Sequence, residues 1–320
     1  MKNMDPSKLW RQQKFNNSCR WDCICMLMQA INISTDTASI IQNSPIPFLI
    51  QLSKTGEGLS AGMLVQDNYS VNTVLLPWRV SLNSKKYKTV KAYLHEAKRL
   101  LSNNVLFMTS VHKPESNSRQ TVVITEFHDD RFSILDPDCG LSRHRQYKYS
   151  EVEDMVFYSI STEKLINLIT FKDGDEPVIG YLAPQSENQD KKSIYNKLIK
   201  QSKSALAVLE KSVKQIDFQN ISEVTFIDKW LKPIVVDLRV AIEIWSLANH
   251  TDPNLIKYLA ILETILLEIR SEITDKKKLN ESKVFSFKML IEKVLLLLVK
   301  SHIDTAPVYK WINLSKFQSN

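Results

Sequence analysis

The chain has six glycines, the last of them Gly180, and none in any residue after it. Tight turns and left-handed backbone call on glycine because it lacks a Cβ. A long glycine-free stretch is therefore steered towards helices joined by short polar loops, while the glycine-bearing part remains open to strands and hairpins. Two architectures are predicted in one chain: an α+β domain over residues 1–182 and a helical bundle over 190–320. They are joined through the polar stretch APQSENQDKK from Ala183 to Lys192.

Charge divides at the same place. Residues 191–320 hold 21 Lys+Arg against 14 Asp+Glu, so the whole net charge of +7 belongs to the second part. A hydrophobic content of 43% gives each part a core and excludes a disordered chain. The longest aliphatic run, Val294 to Val299, is about a third of a membrane-spanning helix. The opening MKNMDPSKLW has no apolar signal core, so a cytoplasmic location is expected. Four cysteines in a chain of this length do not make a disulfide scaffold.

In the second part, Leu255, Leu259, Leu262, Leu266, Ile269 and Ile273 recur at helical spacing, as do Ile194, Leu198, Ala205, Leu209, Val213 and Ile216. Asp252-Pro253 reads as N-cap and first helical residue. A further helix from Val284 to His302 is apolar over most of its circumference. A bundle of four or five helices is expected.

In the first part, Cys19 to Ile31 (CRWDCICMLMQAI) reads as a buried helix and Lys88 to Leu101 as an amphipathic one with Tyr93, Leu94, Ala97 and Leu100 inward. Val71–Leu76, Asn104–Val111, Thr121–Phe127 and Arg131–Leu135 read as strands, the last two joined by a turn at His128-Asp129-Asp130.

Cys19 opens the buried helix behind Ser18 and Asn17, either of which can cap it. A thiol at a helix N-terminus meets free amides and the positive end of the dipole, which favour the nucleophilic thiolate. Cys23 shares its face, and Cys25 points elsewhere. Gln13 lies six residues before Cys19. These residues resemble the papain-like cysteine peptidases, in which the upstream Gln supplies an oxyanion donor and the Cys begins the central helix. Gln120-Thr121-Val122-Val123-Ile124 followed by Ile134-Leu135-Asp136-Pro137 narrows the resemblance to bacteriocin leader-peptidase domains and to butirosin biosynthesis protein H, over about residues 8–140. The resemblance implies Cys19 as nucleophile, Gln13 as oxyanion donor and Asp136 as orienter of a base. It also implies a peptide or an acyl-carrier-type substrate. Cys23 is the alternative nucleophile, with Asn17 six residues upstream.

The family's His position is Gln120. A hairpin turning at Asp129 places Gln120 or Thr121 opposite Asp136, where the imidazole would sit. His112, at the end of the preceding strand, is the rescue candidate; His128 lies at the turn, about 26 Å of strand away. Without a His, peptide hydrolysis loses the acid that protonates the leaving amine. Thioester transfer loses least, because a thiolate leaves unprotonated. Two functions follow: cysteine-dependent acyl transfer or peptide processing in natural-product biosynthesis, or a catalytically degenerate module that binds a peptide or a partner. Ordinary peptidase activity with His112 as base is a narrower third. No cofactor or metal is expected, since no CxxC pair exists. The basic bundle, densest at Lys276-Lys277-Lys278, suits an acidic protein partner. Arg239 and Arg270 are the only arginines after the linker, which argues against nucleic acid.

Overall fold

The computed structural model describes residues 9, 18–42, 51–52, 59–60, 68–113, 118–137, 157–170, 176–185, 253–275 and 279–290, with scattered positions between 200 and 293. The chain separates into two units: Met1–Thr37 with Trp78–Ser186 and Tyr309–Asn320, and Ala38–Pro77 with Glu187–Val308. The division at Ser186 falls within the expected linker, and residues 38–77 group with the helical C-terminal stretch.

The first unit is built on helix α1 (Cys19–Ala30), in which ten of twelve residues are buried. A helix apolar on all sides belongs inside a core. It ends on Asn32, at φ 63°, with Asn32 N–H bonded to the Gln29 carbonyl and Ile33 N–H to the Met28 carbonyl, both at 2.9 Å. This is a Schellman cap with Asn where glycine is usual. Strands β3 (Val80–Lys86), β4 (Phe107–Lys113), β5 (Ser118–His128), β6 (Arg131–Leu135), β7 (Phe157–Ser161) and β8 (Val178–Pro184) form one antiparallel sheet in the order β3-β8-β4-β5-β6-β7. Helix α4 (Val90–Ser102) is amphipathic as expected, and it too ends on a left-handed Asn, Asn104 at φ 56°.

The pleat sends alternate residues to opposite faces. Phe107, Val111, Val122, Ile124, Phe132, Ile134, Ile160 and Ile179 pack with Tyr93, Ala97 and Leu100 of α4 and with Leu165 and Ile169 of α5 (Thr162–Ile169). Residues of the other parity, with Thr121 among them, face α1. On that side Gly180 lets Met108 lie across the sheet. A Cβ on Gly180 would sit 3.1 Å from Met108 Cε and 3.3 Å from Ser84 Oγ. Gly180→Val is expected to cost about 1–3 kcal/mol through overpacking, with Gly180→Ala smaller because the methionine can swing aside. Equal melting temperatures for Gly180→Val and the parent would show that this side of the sheet is not close-packed.

The hairpin β5–β6 turns on Asp129 and Asp130, at φ 47° and 58°, as a two-residue turn with both central residues left-handed. The expected strand at Val71–Leu76 is corrected. Asn68–Leu75 is a helix, α3, followed by a 3₁₀ turn at Leu76–Trp78. Val71, Val74 and Leu75 are all buried at helical spacing, a period that a single β-branched run disguised. The strand expected from Asn104 begins instead at Phe107, because Asn104 belongs to the end of α4. Strands β3, β7 and β8 and helix α5 had not been expected.

In the second unit, β1 (Gln51–Leu52) and β2 (Leu59–Ser60) pair as a short ribbon. Helix α6 (Pro253–Thr274) starts where Asp252-Pro253 indicated, and buries Leu259, Leu262, Leu266, Ile269 and Ile273. Residues 281–290 are helical. Lys283 joins them to α6 through Glu268 at 2.7 Å and Glu272 at 2.6 Å. The rest of the expected bundle, including Ile194–Ile216 as a stripe and most of Val284–His302, lies outside the described residues. No helix among the described residues is long and apolar enough to cross a membrane.

Candidate functional site

Helix α1 presents the side chains of Cys19 and Cys23 to β5, as their four-residue spacing required. Cys23 Sγ donates to the Thr121 carbonyl at 3.2 Å, and Cys19 bonds to both the backbone and the side chain of Thr121. Cys25 points away, towards the Thr37 hydroxyl, with its Sγ at 3.7 Å. All three thiols are free and buried.

The start of α1 differs from expectation. Ser18 is the N-cap residue, yet its side chain makes no capping bond to a first-turn amide. Its hydroxyl donates instead to Asp22 Oδ2 at 2.7 Å, and Asp22 Oδ1 accepts from the Thr37 hydroxyl. A buried carboxylate in the first turn is thereby tied to hydroxyls on both sides.

The expectation of an activated thiolate is also corrected. Burial pushes the Cys19 thiol up from its ordinary value. The bonds from Thr121 pull it down and the Asp22 charge pushes it up again, and the balance is upward. The Cys23 thiol is raised further, first by complete burial and then by the neighbouring charges of Cys19, Asp22 and Asp136. The dipole argument holds for an exposed helix end; at 8% exposure, removal of water from Cys19 outweighs it.

Gln120 and Asp136, both buried, are brought together: Gln120 Nε2 donates to Asp136 Oδ1 at 3.3 Å. The expected register is shifted, because the turn is centred between Asp129 and Asp130; the irregularity between Ile124 and Glu126 takes back one residue, and the ladder closes at Val123↔Leu135, which sets Val122 across from Asp136. Gln120 therefore reaches Asp136 along a diagonal. Alternation gives Gln120 the parity of Val122 and Ile124, on the α4 side, and leaves Thr121 as the β5 residue that meets Cys19.

His112 is not in a loop. It lies inside β4, paired across from Arg119, one same-face step beyond the pair Ser110↔Thr121. That step is about 7 Å of strand. His128 is at the turn, exposed, with Nδ1 2.8 Å from Asp129 Oδ2. Gln13, Asn17, Asp138, Cys139 and Lys276–Lys278 lie outside the described residues. Among the described residues no group of three His, Cys, Asp or Glu side chains is arranged to hold a metal ion.

Sequence reasoning missed Thr121 as the neighbour of the thiol and Asp22 as the hub of the helix start. The first follows from strand parity once the helix side of the sheet is known. The second was signalled by Ser18 and Asp22 standing one helical turn apart. No family model matches this sequence, and no curated protein matches it.

Proposed function

We propose that the chain is a papain-like protein that holds a peptide or a partner protein at the Cys19 end of α1 and does not cleave it. The observation that carries this reading is that Gln120, which holds the sequence position of the imidazole, is tied to Asp136 at 3.3 Å on the α4 side of the sheet, while Thr121 is the β5 residue that meets Cys19. A carboxamide stands where the resemblance calls for an imidazole, and an amide cannot take up a thiol proton near neutrality. The neutral, buried thiol of Cys19 agrees with it, since the thiol form is a poor nucleophile. Asp136 is left with the role of fixing the Gln120 side chain.

Acyl transfer from a thioester is the second reading, favoured by the bonds from Thr121, which lower the cost of a Cys19 thiolate. In that step the thiolate attacks the thioester carbonyl and the donor thiolate leaves, so no proton is needed at the leaving group. Peptidase activity through His112 has less support, because that residue belongs to a strand pair beyond the one facing the thiol.

Iodoacetamide titration from pH 5 to 9, with the modified residues mapped, separates the readings. Under the binding reading Cys19 alkylates more slowly at pH 7 than the same thiol in the unfolded chain, because burial makes the folded chain hold the proton more tightly. Alkylation of Cys19 faster than in the unfolded chain at pH 6 would reveal a thiolate and hand the site to acyl transfer.

A further inference from the structure

Residues 85–91, KKYKTVK, carry four lysines in seven positions at the corner where β3 ends and α4 begins. All four are exposed. Lys85 leans over the Tyr87 ring, 5.3 Å from its centre. Lys86, Lys88 and Lys91 make no ion pair with any described residue. Of the described carboxylates nearby, Glu96 is paired with Arg99 at 2.7 Å and also feels the Lys85 charge. The Pro177 carbonyl accepts the Tyr87 amide at 2.9 Å. That backbone bond and the N-cap, with Thr89 Oγ1 accepting from Ala92 N–H at 3.2 Å, hold the corner in place.

This arrangement runs against the stability of α4. The helix has a capping threonine and a basic residue, Arg99, in its last turn, but no acidic residue in its first turn. Lys88 and Lys91 instead set positive charge against the positive end of the dipole and against each other at i,i+3. Lysines on an edge strand discourage sheet-to-sheet pairing, and β3 is an edge strand, so Lys85 and Lys86 have that explanation. Lys88 and Lys91 lie beyond the strand and do not. A local rule broken with no gain among the described residues points to a functional surface.

We infer that the corner formed by Lys85, Lys86, Lys88 and Lys91 is a docking surface for a carboxylate-rich segment of another protein. Residues 85–91 hold no arginine, the neighbouring Arg99 is held by Glu96, and the aromatic Tyr87 is buried, so the corner lacks the free forked donors and stacking platforms that nucleic acid calls for. The large exposed hydrophobics among the described residues, Ile261, Phe285 and Met289, all belong to the other unit, so the corner has no apolar wedge for a lipid surface. Compact ammonium groups on rigid backbone fit dispersed carboxylates. The inference is independent of what Cys19 does. It also assigns an acidic partner to the electrically neutral first part of the chain, whereas the charge count pointed to the second.

The test is fluorescence anisotropy of the full chain with a fluorescein-labelled oligoglutamate peptide at low salt. Lys86→Glu/Lys88→Glu/Lys91→Glu is expected to weaken binding about tenfold or more, as loss of three exposed charge pairs implies. Lys98→Glu/Arg131→Glu/Lys164→Glu changes the net charge equally within the same unit and is expected to weaken it no more than about twofold, since these groups lie beside β5, β6 and β7, towards the edge of the sheet opposite β3, and screening confines each charge to its own neighbourhood. Equal losses in the two variants would reduce the effect to net charge and overturn the proposal. Tighter binding of a labelled duplex oligonucleotide, or of phosphatidylserine vesicles, through the same three lysines would overturn it in favour of those partners. Lys91→Glu alone is expected to bind more weakly yet melt about 1–4 °C higher, because it puts an acid in the first turn. A melting temperature no higher than the parent's removes the premise that the corner gives up stability.

Discussion

Asp22→Ala is expected to lose about 2–4 kcal/mol of folding stability, the largest effect of any single polar change in the α+β unit. Asp22 is only 3% exposed and accepts the hydroxyls of Ser18 and Thr37, which are themselves buried. Each hydrogen bond to a charged acceptor is worth about 1.5–3 kcal/mol. Removal of the carboxylate also leaves two buried hydroxyls to find other partners, while relief of the carboxylate's own desolvation returns part of the loss. The bonds tie the first turn of α1 to the start of α2 (Thr37–Gln42), so the damage concerns the element that presents Cys19. Asp22→Asn retains an acceptor and should lose about half as much. It should also speed alkylation of Cys19 at a given pH, since the Asp22 charge raises that thiol. Urea unfolding of the two variants measures this directly. An Asp22→Ala protein within about 0.5 kcal/mol of the parent, the scatter of surface substitutions, would mean that the clasp contributes nothing.

The second large effect is alkaline. Cys19, Cys23 and Tyr93 all hold their protons more tightly in the folded chain than in the unfolded one, first of all because burial disfavours the charged form. For a group raised on folding, the contribution to stability is complete below its unfolded pKa and is lost as the pH climbs towards the folded value. Below about pH 8.5 both states are protonated and nothing changes. Above it, the unfolded chain gives up thiol protons that the native chain keeps, and stability falls by about 1.4 kcal/mol per pH unit for each thiol until its folded value is reached. Tyr93 joins above about pH 10. The unit is therefore expected to lose stability progressively as the pH rises above about 8.5, while acid leaves these three groups silent. Cys23→Ala should shallow the slope by about 1.4 kcal/mol per pH unit. A slope unchanged by that substitution would assign the alkaline transition to other groups.

Much of the fold can be read from local pattern. α1, α4, α6 and the hairpin at Asp129-Asp130 announce themselves through periodicity and turn chemistry, which depend on residues only a few positions apart. Scarcity of glycine marked the chain's second part, but in the first part Asn32, Asn104, Asp129 and Asp130 take left-handed backbone that glycine would otherwise fill. The α3 stretch misled because three residues of NYSVNTVL, two valines and a threonine, are β-branched, although its buried positions keep a helical spacing. β3, β7 and β8 are short and mixed in polarity, and only their partners in the sheet identify them.

At the site, the sequence alone determined two pairings of side chains. Cys19 and Cys23 share a face because they are one turn apart, and Gln120 meets Asp136 because a hairpin between them returns the chain. Those are consequences of local geometry. Tertiary structure decided that Thr121, one pleat away from Gln120, meets the thiol, and that burial raises the thiol's pKa where the helix end would lower it. Both depend on which face of the sheet α1 covers and on how completely it excludes water. Burial is a sum over residues distant in the chain, and no helix end or sequence motif carries that sum within itself.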